Sequence, residues 1–234
     1  MKAVILAGGK GTRLAPYTTV LPKPLMPIGD MPILEVILRQ LKWHNCEEVT
    51  LAVGHLSELL MAFFNNGSKL GLKINYSLED KPLGTAGPLT LIKDLDEPFI
   101  VMNGDVLTDL NYSDLQRFHH ERKSIATIAT YQRTVKIDFG VVEADGENYL
   151  ANYTEKPSID YRVSMGVYFF SPGVLRFIPP DTYFDFPDLI KRLIEKGEKV
   201  SSYPFSGYWL DIGRHDDYEN AISEFEQKRN LFLP

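Results

Sequence analysis

The stretch that decides the fold runs from residue 2 to residue 14 and reads Lys2-Ala3-Val4-Ile5-Leu6-Ala7-Gly8-Gly9-Lys10-Gly11-Thr12-Arg13-Leu14. A short, continuous, β-branched apolar run that stops at glycines predicts a buried strand over residues 2–7. The glycines follow its carboxyl end, which is the edge where open α/β sheets bind their ligands. We therefore predict the first strand of such a sheet, followed by a functional loop.

Strand-like and helix-like segments alternate from this loop to residue 123. The apolar periodicity predicts strands at 48–53, 73–78 and 98–103. It also predicts four helices: one capped by Asp30, one capped by Ser57, one over 85–95, and one that begins at a capping-box pattern formed by Ser113 and Gln116. This order is typical of a parallel sheet with helices on both faces.

Strands dominate from residue 124 onwards, with a helix near 187–196 and a last helix after residue 212. We predict an α/β, Rossmann-like sheet that is mixed but mainly parallel and flanked by helices. Residues 1–123 and the β-rich residues 124–234 would be two halves of one domain, 1–234. No hexapeptide repeat is visible, so we expect no β-helix extension.

The composition excludes several classes of protein. The chain has 25 Lys and Arg against 31 Asp and Glu, a formal net charge of −6, which argues against nucleic-acid binding. A single cysteine, Cys46, excludes an intramolecular disulfide, and we expect it to be buried. No apolar stretch is long enough for a membrane span, so we expect no membrane partner and a cytoplasmic location. His119 and His120 are expected to be solvated on a polar helix face.

The glycine loop matches neither of two common nucleotide motifs. Gly11 stands where a Walker A loop needs Ser or Thr after its lysine, and Leu14 replaces the third glycine of a dinucleotide fingerprint, which argues against a dinucleotide-dependent oxidoreductase. Prolines at 22 and 24 are expected to hold Lys23 in a stiff, extended segment that delivers a point charge to a phosphate. The alternatives are a plain tight turn and a solvated lysine.

Six motifs in one order give the sequence a strong resemblance to a family. The glycine loop with Pro22-Lys23-Pro24 resembles the signature of the sugar-1-phosphate nucleotidyltransferases, most closely those that guanylylate mannose or heptose phosphates. The likeness continues at Pro82-Leu83-Gly84-Thr85-Ala86-Gly87, Asn103-Gly104-Asp105, Glu155-Lys156-Pro157, Met165-Gly166-Val167-Tyr168 and Trp209-Leu210-Asp211-Ile212-Gly213.

This resemblance implies transfer of a nucleotide from an NTP to a sugar 1-phosphate, with Mg²⁺ as cofactor and with residues 1–123 and 124–234 as the nucleotide and sugar-phosphate halves. It implies catalytic roles for Arg13, Lys23, Asp105 and Lys156, and metal ligation by Asp105 and Asp211. The nucleotide would be bound by Leu6, Ala7, Gly8, Gly9, Gly11, Thr12, Arg13, Lys23, Glu79, Pro82, Gly84, Thr85, Asn103 and Asp105. The sugar phosphate would be bound by Gly140, Asn152, Glu155, Lys156 and Gly166. A homodimer is expected from the family likeness alone.

The nucleobase remains open at this stage. Glu79 offers an acceptor pair that matches the two Watson–Crick donors of guanine, and the segment from Ser77 to Thr85 lacks the glutamine of thymidylyl- and many uridylyltransferases. We therefore predict GTP with mannose 1-phosphate or a heptose 1-phosphate. The alternatives are UTP, dTTP or CTP with glucose 1-phosphate, and a non-catalytic paralogue that senses an NDP-sugar.

Overall fold

The computed structural model describes residues 1–233, which form thirteen strands and five α-helices joined by turns and short 3-10 helices. The strands are β1 Lys2–Leu6, β2 Pro27–Ile28, β3 Met31–Pro32, β4 Glu48–Val53, β5 Lys73–Leu78, β6 Phe99–Asn103, β7 Val106–Thr108, β8 Ala126–Lys136, β9 Val141–Ala144, β10 Leu150–Thr154, β11 Ser158–Phe170, β12 Val200–Phe205 and β13 Trp209–Asp211. The helices are α1 Ile33–Trp43, α2 Ser57–Phe64, α3 Tyr112–Arg122, α4 Phe186–Glu195 and α5 His215–Phe232.

Seven strands form the central sheet, in the order β12-β8-β11-β6-β1-β4-β5. β11 is antiparallel to both of its neighbours, β8 and β6, whereas all other neighbouring strands of this sheet are parallel. The prediction of a mixed, mainly parallel sheet is therefore confirmed. Its parallel part places the carboxyl ends of β1, β4, β5 and β6 at one edge.

The sheet is buried on both faces because its central strands carry apolar side chains in both directions. In β1, Ala3 and Ile5 face a core that includes α1 and α5, while Val4 faces a second core that includes α4. A strand between two cores has no polar face, which is why residues 2–7 read as a continuous apolar run. Across residues 1–233, no helix combines the length and the apolar character needed to cross a membrane.

The β-rich half contains a lobe outside the central sheet. The outer ends of β8 and β11 pair from Thr130–Ser164 out to Lys136–Ser158, and β9 and β10 form a separate two-stranded sheet beside them. Every residue of β10 is exposed. The lobe therefore presents its side chains to solvent rather than to a core.

The helix predicted over 85–95 is wrong. The chain there forms only a 3-10 helix, Gly87–Leu91. Pro88 has no N–H to donate, and the amides of Ala86 and Gly87 donate instead to the carbonyl of Phe184, at 2.9 and 3.0 Å. Beyond these two residues, the amides of Leu89 and Ile92 donate to the carbonyls three residues back, those of Ala86 and Leu89, at 3.1 and 3.4 Å, which is the pattern of a 3-10 helix.

Three predicted helix caps also differ from the structure. Asn111, not Ser113, caps α3, because its side chain accepts hydrogen bonds from the amides of Ser113 and Asp114 at 3.0 and 3.1 Å. Ser57 lies inside α2 rather than before it. Asp30 does not cap α1 but accepts a two-pronged ion pair from Arg229 of α5.

His119 is buried, so the expectation that both histidines are solvated is wrong for this one, while His120 is exposed. The ring nitrogens of His119, Nδ1 and Nε2, lie 2.8 Å from Thr127 Oγ1 and 2.9 Å from Ser171 Oγ, respectively. Ser171 donates its own proton to the carbonyl of Ser124, so it accepts from His119 Nε2–H, and Nδ1 accepts from Thr127. This set of partners suits a neutral imidazole, which donates from one nitrogen and accepts at the other. Burial, and secondarily His120, lowers the pKa of His119 to about 4.

This lowered pKa predicts a pH-dependent stability. Because the unfolded chain takes up the proton at a higher pH than the folded chain, stability is lost as the pH falls from about 6.5 towards 4. Between pH 7 and pH 5 we expect this residue to remove about 2 kcal/mol from the free energy of unfolding. Urea unfolding at the two pH values should therefore show a smaller loss for His119→Gln than for the wild type. The control His120→Gln should behave like the wild type, and equal losses in all three proteins would contradict the prediction.

Candidate active site

A cleft of about 690 Å³ opens at the carboxyl edge of the parallel strands. It is lined by residues that follow β1, β4, β5 and β6, together with Lys23 and Pro24 from the long loop and Tyr183 and Asp185 from the segment before α4. All the predicted nucleotide-binding residues except Thr12 line it. The sequence therefore identified one continuous surface rather than scattered positions.

The glycine loop lies against the end of β4, the neighbour of β1. A β-carbon on Gly8 would lie 2.7 Å from Glu79 Oε1 and 3.3 Å from the amide of Gly54, so a side chain at this position would displace the Glu79 carboxylate. Gly11 has a φ of 61°, a left-handed conformation that favours glycine, and its carbonyl accepts a hydrogen bond from Thr18 at 2.8 Å. Within the described residues, no backbone carbonyl accepts from the amides of residues 8–11. Those amides are thus free to donate to an anion in the cleft.

Lys23 lies in a 3-10 helix, Lys23–Leu25, so the predicted extended conformation is wrong. The segment is nevertheless rigid, because the amides of Leu25 and Met26 donate to the carbonyls of Pro22 and Lys23 at 2.8 and 3.0 Å. The Lys23 side chain is buried and its ammonium donates to Asp105 Oδ2. A buried lysine held by its backbone and by a carboxylate is not a solvated surface lysine.

Asp105 and Asp211 are brought together by two short strands. β7 follows Asp105 and pairs antiparallel with β13, with Asp211 opposite Val106, and the amide of Ile212 donates to the carbonyl of Asp105 at 3.1 Å. Burial raises the pKa of Asp211, and the negative charge of Asp105 raises it further. The positive charges of Lys23 and Arg13 lower it. Arg13 lies in the same place, since a β-carbon on Gly213 would be 3.3 Å from its Nη1 and 3.6 Å from Asp211 Oδ2.

The two carboxylates fit a magnesium ion. Asp105 Oδ1 is buried and has no hydrogen-bond partner, although its other oxygen pairs with Lys23. Magnesium binds through one or two carboxylates together with substrate phosphates and water. Among residues 1–233 no group of three or more histidine, cysteine or acidic side chains could hold a metal ion, so the phosphates would have to complete the coordination.

Glu79 lines the cleft at the end of β5. Its Oε2 accepts from the amide of Leu83 at 3.1 Å, and its Oε1 lies against Gly8. Burial raises the pKa of Glu79, and the hydrogen bond from Leu83 opposes this. The carboxylate is therefore fixed at the mouth of the glycine loop.

The predicted sugar-phosphate residues do not line the cleft. Asn152, Glu155 and Lys156 are exposed on the lobe, where Tyr153 packs against Gly140 and donates to Glu155 Oε2 at 2.8 Å. Lys156 has a φ of 44°, which a lysine seldom adopts, and such strain is common at functional sites.

Gly166 differs from the rest of this set because it lies against Asn103, a residue that lines the cleft. It has a φ of 72°, and a β-carbon there would lie 2.6 Å from Asn103 Nδ2. A side chain at this position would therefore push Asn103 out of its place at the end of β6.

Sequence reasoning missed part of the cleft wall. The additional lining residues are Lys10, Pro24, Ala52, Gly54, His55, Asp80, Lys81, Pro88, Gly104, Tyr183 and Asp185. Most of them adjoin predicted residues and could have been found by extending each motif by a residue or two. Tyr183 and Asp185 reach the cleft from far along the chain, and no local pattern marks them.

Comparisons with known proteins agree with this geometry. The family model described as Nucleotidyl transferase matches residues 2–228. A UTP--glucose-1-phosphate uridylyltransferase of Synechocystis is 35% identical, over 95% of this chain and 62% of its own length. The catalytic subunit beta of a mannose-1-phosphate guanylyltransferase of Danio rerio is 36% identical, over 97% of this chain and 65% of its own length. The chain thus spans less than two thirds of the length of these curated relatives.

Solved structures share the fold. A Bacillus anthracis protein in complex with a sucrose superposes with a TM-score of 0.77 at 24% identity, covering 95% of this chain and 94% of its own. HddC from Yersinia pseudotuberculosis complexed with GMP-PN gives a TM-score of 0.73 at 24% identity, covering 96% and 99%. With the family model matching nearly the whole chain, the protein belongs to the Nucleotidyl transferase family.

Proposed function

We propose that the protein transfers a nucleotidyl group from an NTP to a sugar 1-phosphate, giving an NDP-sugar and pyrophosphate. The observation that carries this proposal is the pairing of the buried Lys23 with Asp105, next to Asp211, beside a glycine loop with free amides. A site of this kind binds a polyphosphate and a cation at once. The reading is supported by relatives whose names describe this reaction with two different nucleotides.

The reaction needs no general base. An oxygen of the sugar phosphate is already anionic at neutral pH, because a phosphate monoester has its second pKa near ~6. This oxygen forms a bond to the α-phosphorus, the bond from that phosphorus to the α,β-bridging oxygen breaks, and pyrophosphate leaves with the electron pair. Lys23 and Arg13 would bind the triphosphate and stabilise the charge that develops on it. Holding the two anions in line is then the main task of the site.

Asp105 and Asp211 would hold Mg²⁺, which when bound screens the phosphate charges from one another. The role of this chain is to place the two carboxylates side by side through β7 and β13 and to keep Lys23 against one of them. The free Oδ1 of Asp105 is the atom offered to a cation.

The lobe would bind the sugar phosphate. We propose that Lys156 pairs with its phosphate, that Glu155 and Asn152 accept or donate hydrogen bonds to its hydroxyls, and that Gly140 and Gly166 allow close approach. The side chains of Asn152, Glu155 and Lys156 are exposed, and the strained backbone of Lys156 supports a role beyond a turn. Because they do not line the nucleotide cleft, we propose that the sugar phosphate bridges the lobe and the cleft.

GTP is the proposed nucleotide, with mannose 1-phosphate or a related heptose 1-phosphate. The support is the fixed carboxylate of Glu79, which offers acceptors to the N1–H and N2–H₂ donors of guanine. UTP with glucose 1-phosphate is the second candidate, favoured by the uridylyltransferase relative. Uracil presents only one Watson–Crick donor, so it would engage only one of the two oxygens of this half-buried carboxylate.

A substrate panel tests the proposal. We expect pyrophosphate release with Mg²⁺, GTP and mannose 1-phosphate. We also expect kcat/KM for GTP to exceed that for UTP at least about tenfold, which corresponds to a difference of about 1.4 kcal/mol in transition-state binding. Glu79→Gln should reduce this preference, because its amide offers one acceptor and one donor group. Activity with dTTP or UTP and none with GTP would overturn the base assignment. Failure of every NTP and sugar phosphate would overturn the reaction.

Three broader features belong to the same proposal. We propose that residues 1–234 act as one nucleotidyltransferase domain, because the cleft is lined by residues from both halves. A homodimer is proposed from the family likeness, and a cytoplasmic location from substrates that are soluble anions. Size-exclusion chromatography with light scattering measures the oligomeric state directly.

A further inference from the structure

A segment of the C-terminal half, residues 181–186, holds the loop that carries Glu79. We call residues 79–87 the second loop. The amide of Phe184 donates to the carbonyl of Leu83 at 2.9 Å, and the carbonyl of Phe184 accepts from Ala86 at 2.9 Å. Lys81 adds an ion pair with Asp181 at 2.8 Å. The second loop is thus fixed by tertiary contacts rather than by its own secondary structure.

Asp185 makes an unusual exchange with this loop. It occupies the N-cap position of α4, but its side chain forms no hydrogen bond with the amides of that helix. Its Oδ1 accepts instead from the amide of Thr85 at 2.8 Å and from the Thr85 hydroxyl at 3.0 Å. The hydroxyl in turn accepts from the amide of Phe186 at 2.9 Å. Asp185 therefore gives up the usual capping role of an aspartate there, and Thr85 supplies a helix cap in its place.

The contact is close enough to fix the backbone of the second loop. Gly84 has a φ of 78°, and a β-carbon there would lie 2.7 Å from the carbonyl oxygen of Phe184 and 2.8 Å from Asp185 Oδ1. Gly84, Thr85 and Asp185 all line the cleft, as does the exposed Tyr183 beside them. A wall of the nucleotide cleft is therefore built from both halves of the chain.

We propose that Asp185 is a positioning residue for the nucleoside part of the NTP. It acts through Thr85, fixing the second loop in the conformation that offers Glu79 and the loop backbone to the base. Among residues 1–233, no hydrogen bond or ion pair joins it to Lys23 or Asp105, and we assign it no part in the chemical step. Without it, the second loop must be ordered by the nucleotide itself, and that ordering is subtracted from the binding free energy. This inference rests on the proposed function, since it names a determinant of nucleotide binding at the same cleft.

Steady-state kinetics of Asp185→Ala and Asp185→Asn test the inference. For Asp185→Ala we expect the KM for GTP to rise about tenfold, equivalent to about 1.4 kcal/mol, while kcat and the KM for mannose 1-phosphate stay within about twofold. Asp185→Asn retains an oxygen that can accept from Thr85, so its KM for GTP should stay within about threefold of the wild type. A role in folding alone would not separate these parameters.

Asn111→Ala is the matched control. It removes a true side-chain cap from α3, a helix whose first turn is not in the cleft, and so it should lower stability without changing the KM for GTP. A KM for GTP within twofold of the wild type in Asp185→Ala, or an equal rise in Asn111→Ala, would overturn the inference.

A direct binding measurement separates this inference from the proposed function. If the wild type released no pyrophosphate with any substrate pair, the proposed reaction would fail. Isothermal calorimetry with a non-hydrolysable GTP analogue would still decide the role of Asp185. Weaker binding to Asp185→Ala than to the wild type and Asn111→Ala would support the inference, and equal binding to all three would overturn it.

Discussion

Asp105→Asn is expected to abolish turnover, lowering kcat by at least about a thousandfold, or about 4 kcal/mol in the activation free energy. The substitution keeps the shape of the side chain but removes its negative charge. In the wild type, one oxygen of Asp105 pairs with the buried Lys23, and the other is buried without a partner. An amide cannot replace a carboxylate in either role, because it carries no charge for a cation or for an ammonium. The measurement is pyrophosphate release at saturating GTP, mannose 1-phosphate and Mg²⁺.

The control for this prediction lies at the other end of the same strand. Asp96 precedes β6 as Asp105 follows it, and it also accepts an ion pair from a lysine, Lys2, at 2.9 Å. Asp96→Asn makes the same change in net charge and should leave kcat within about twofold of the wild type. An exposed ion pair contributes little to stability, so its loss should leave the fold intact. Circular dichroism should show native secondary structure for both variants. Turnover by Asp105→Asn within tenfold of the wild type would remove this residue from the catalytic site.

The parallel core of the fold could be predicted because its strands lie between two apolar faces. Val4, Ala52 and Val101 face one core while Ile5, Leu51 and Ile100 face the other, so each strand reads as a mainly apolar run. The carboxyl ends of such strands lie at one edge, which predicts that the glycine loop and Asp105 lie together. Family resemblance then supplied the roles that periodicity could not.

What escaped prediction depends on contacts between distant parts of the chain. Residues 85–95 looked like a helix because they are mostly apolar, but their first amides pair with Phe184 and only a 3-10 helix, Gly87–Leu91, follows. His119 looked solvated because it sits in a polar stretch of α3, but Thr127 and Ser171 satisfy both ring nitrogens in the interior. Asp185 belongs to no motif. In each case the deciding partner lies outside the local window in which a pattern can be read.

Lys23→Met is expected to lower kcat/KM for GTP by about a hundredfold to a thousandfold, or about 3–4 kcal/mol. Methionine fills a similar volume but removes the only charge that Asp105 contacts through a salt bridge among residues 1–233. The triphosphate would then meet two carboxylates without the ammonium that offsets them. Lys23→Arg keeps the charge but not the compact shape, so we expect it to recover part of the activity. Stopped-flow or coupled pyrophosphate assays measure both variants.

A double-mutant cycle distinguishes loss of chemistry from loss of structure. Lys23→Met leaves the partly buried Asp105 without its partner, and we expect the free energy of unfolding to fall by about 2 kcal/mol. Combining it with Asp105→Asn removes the remaining charge, so the pair should be less destabilised than the sum of the single variants, while activity stays absent. Lys2→Met, which breaks the exposed pair with Asp96, should leave kcat/KM and stability nearly unchanged. If Lys23→Met retained wild-type kcat/KM, Lys23 would be a structural lysine rather than a phosphate-binding one. If its stability effect were simply additive with that of Asp105→Asn, the two side chains would not be energetically coupled.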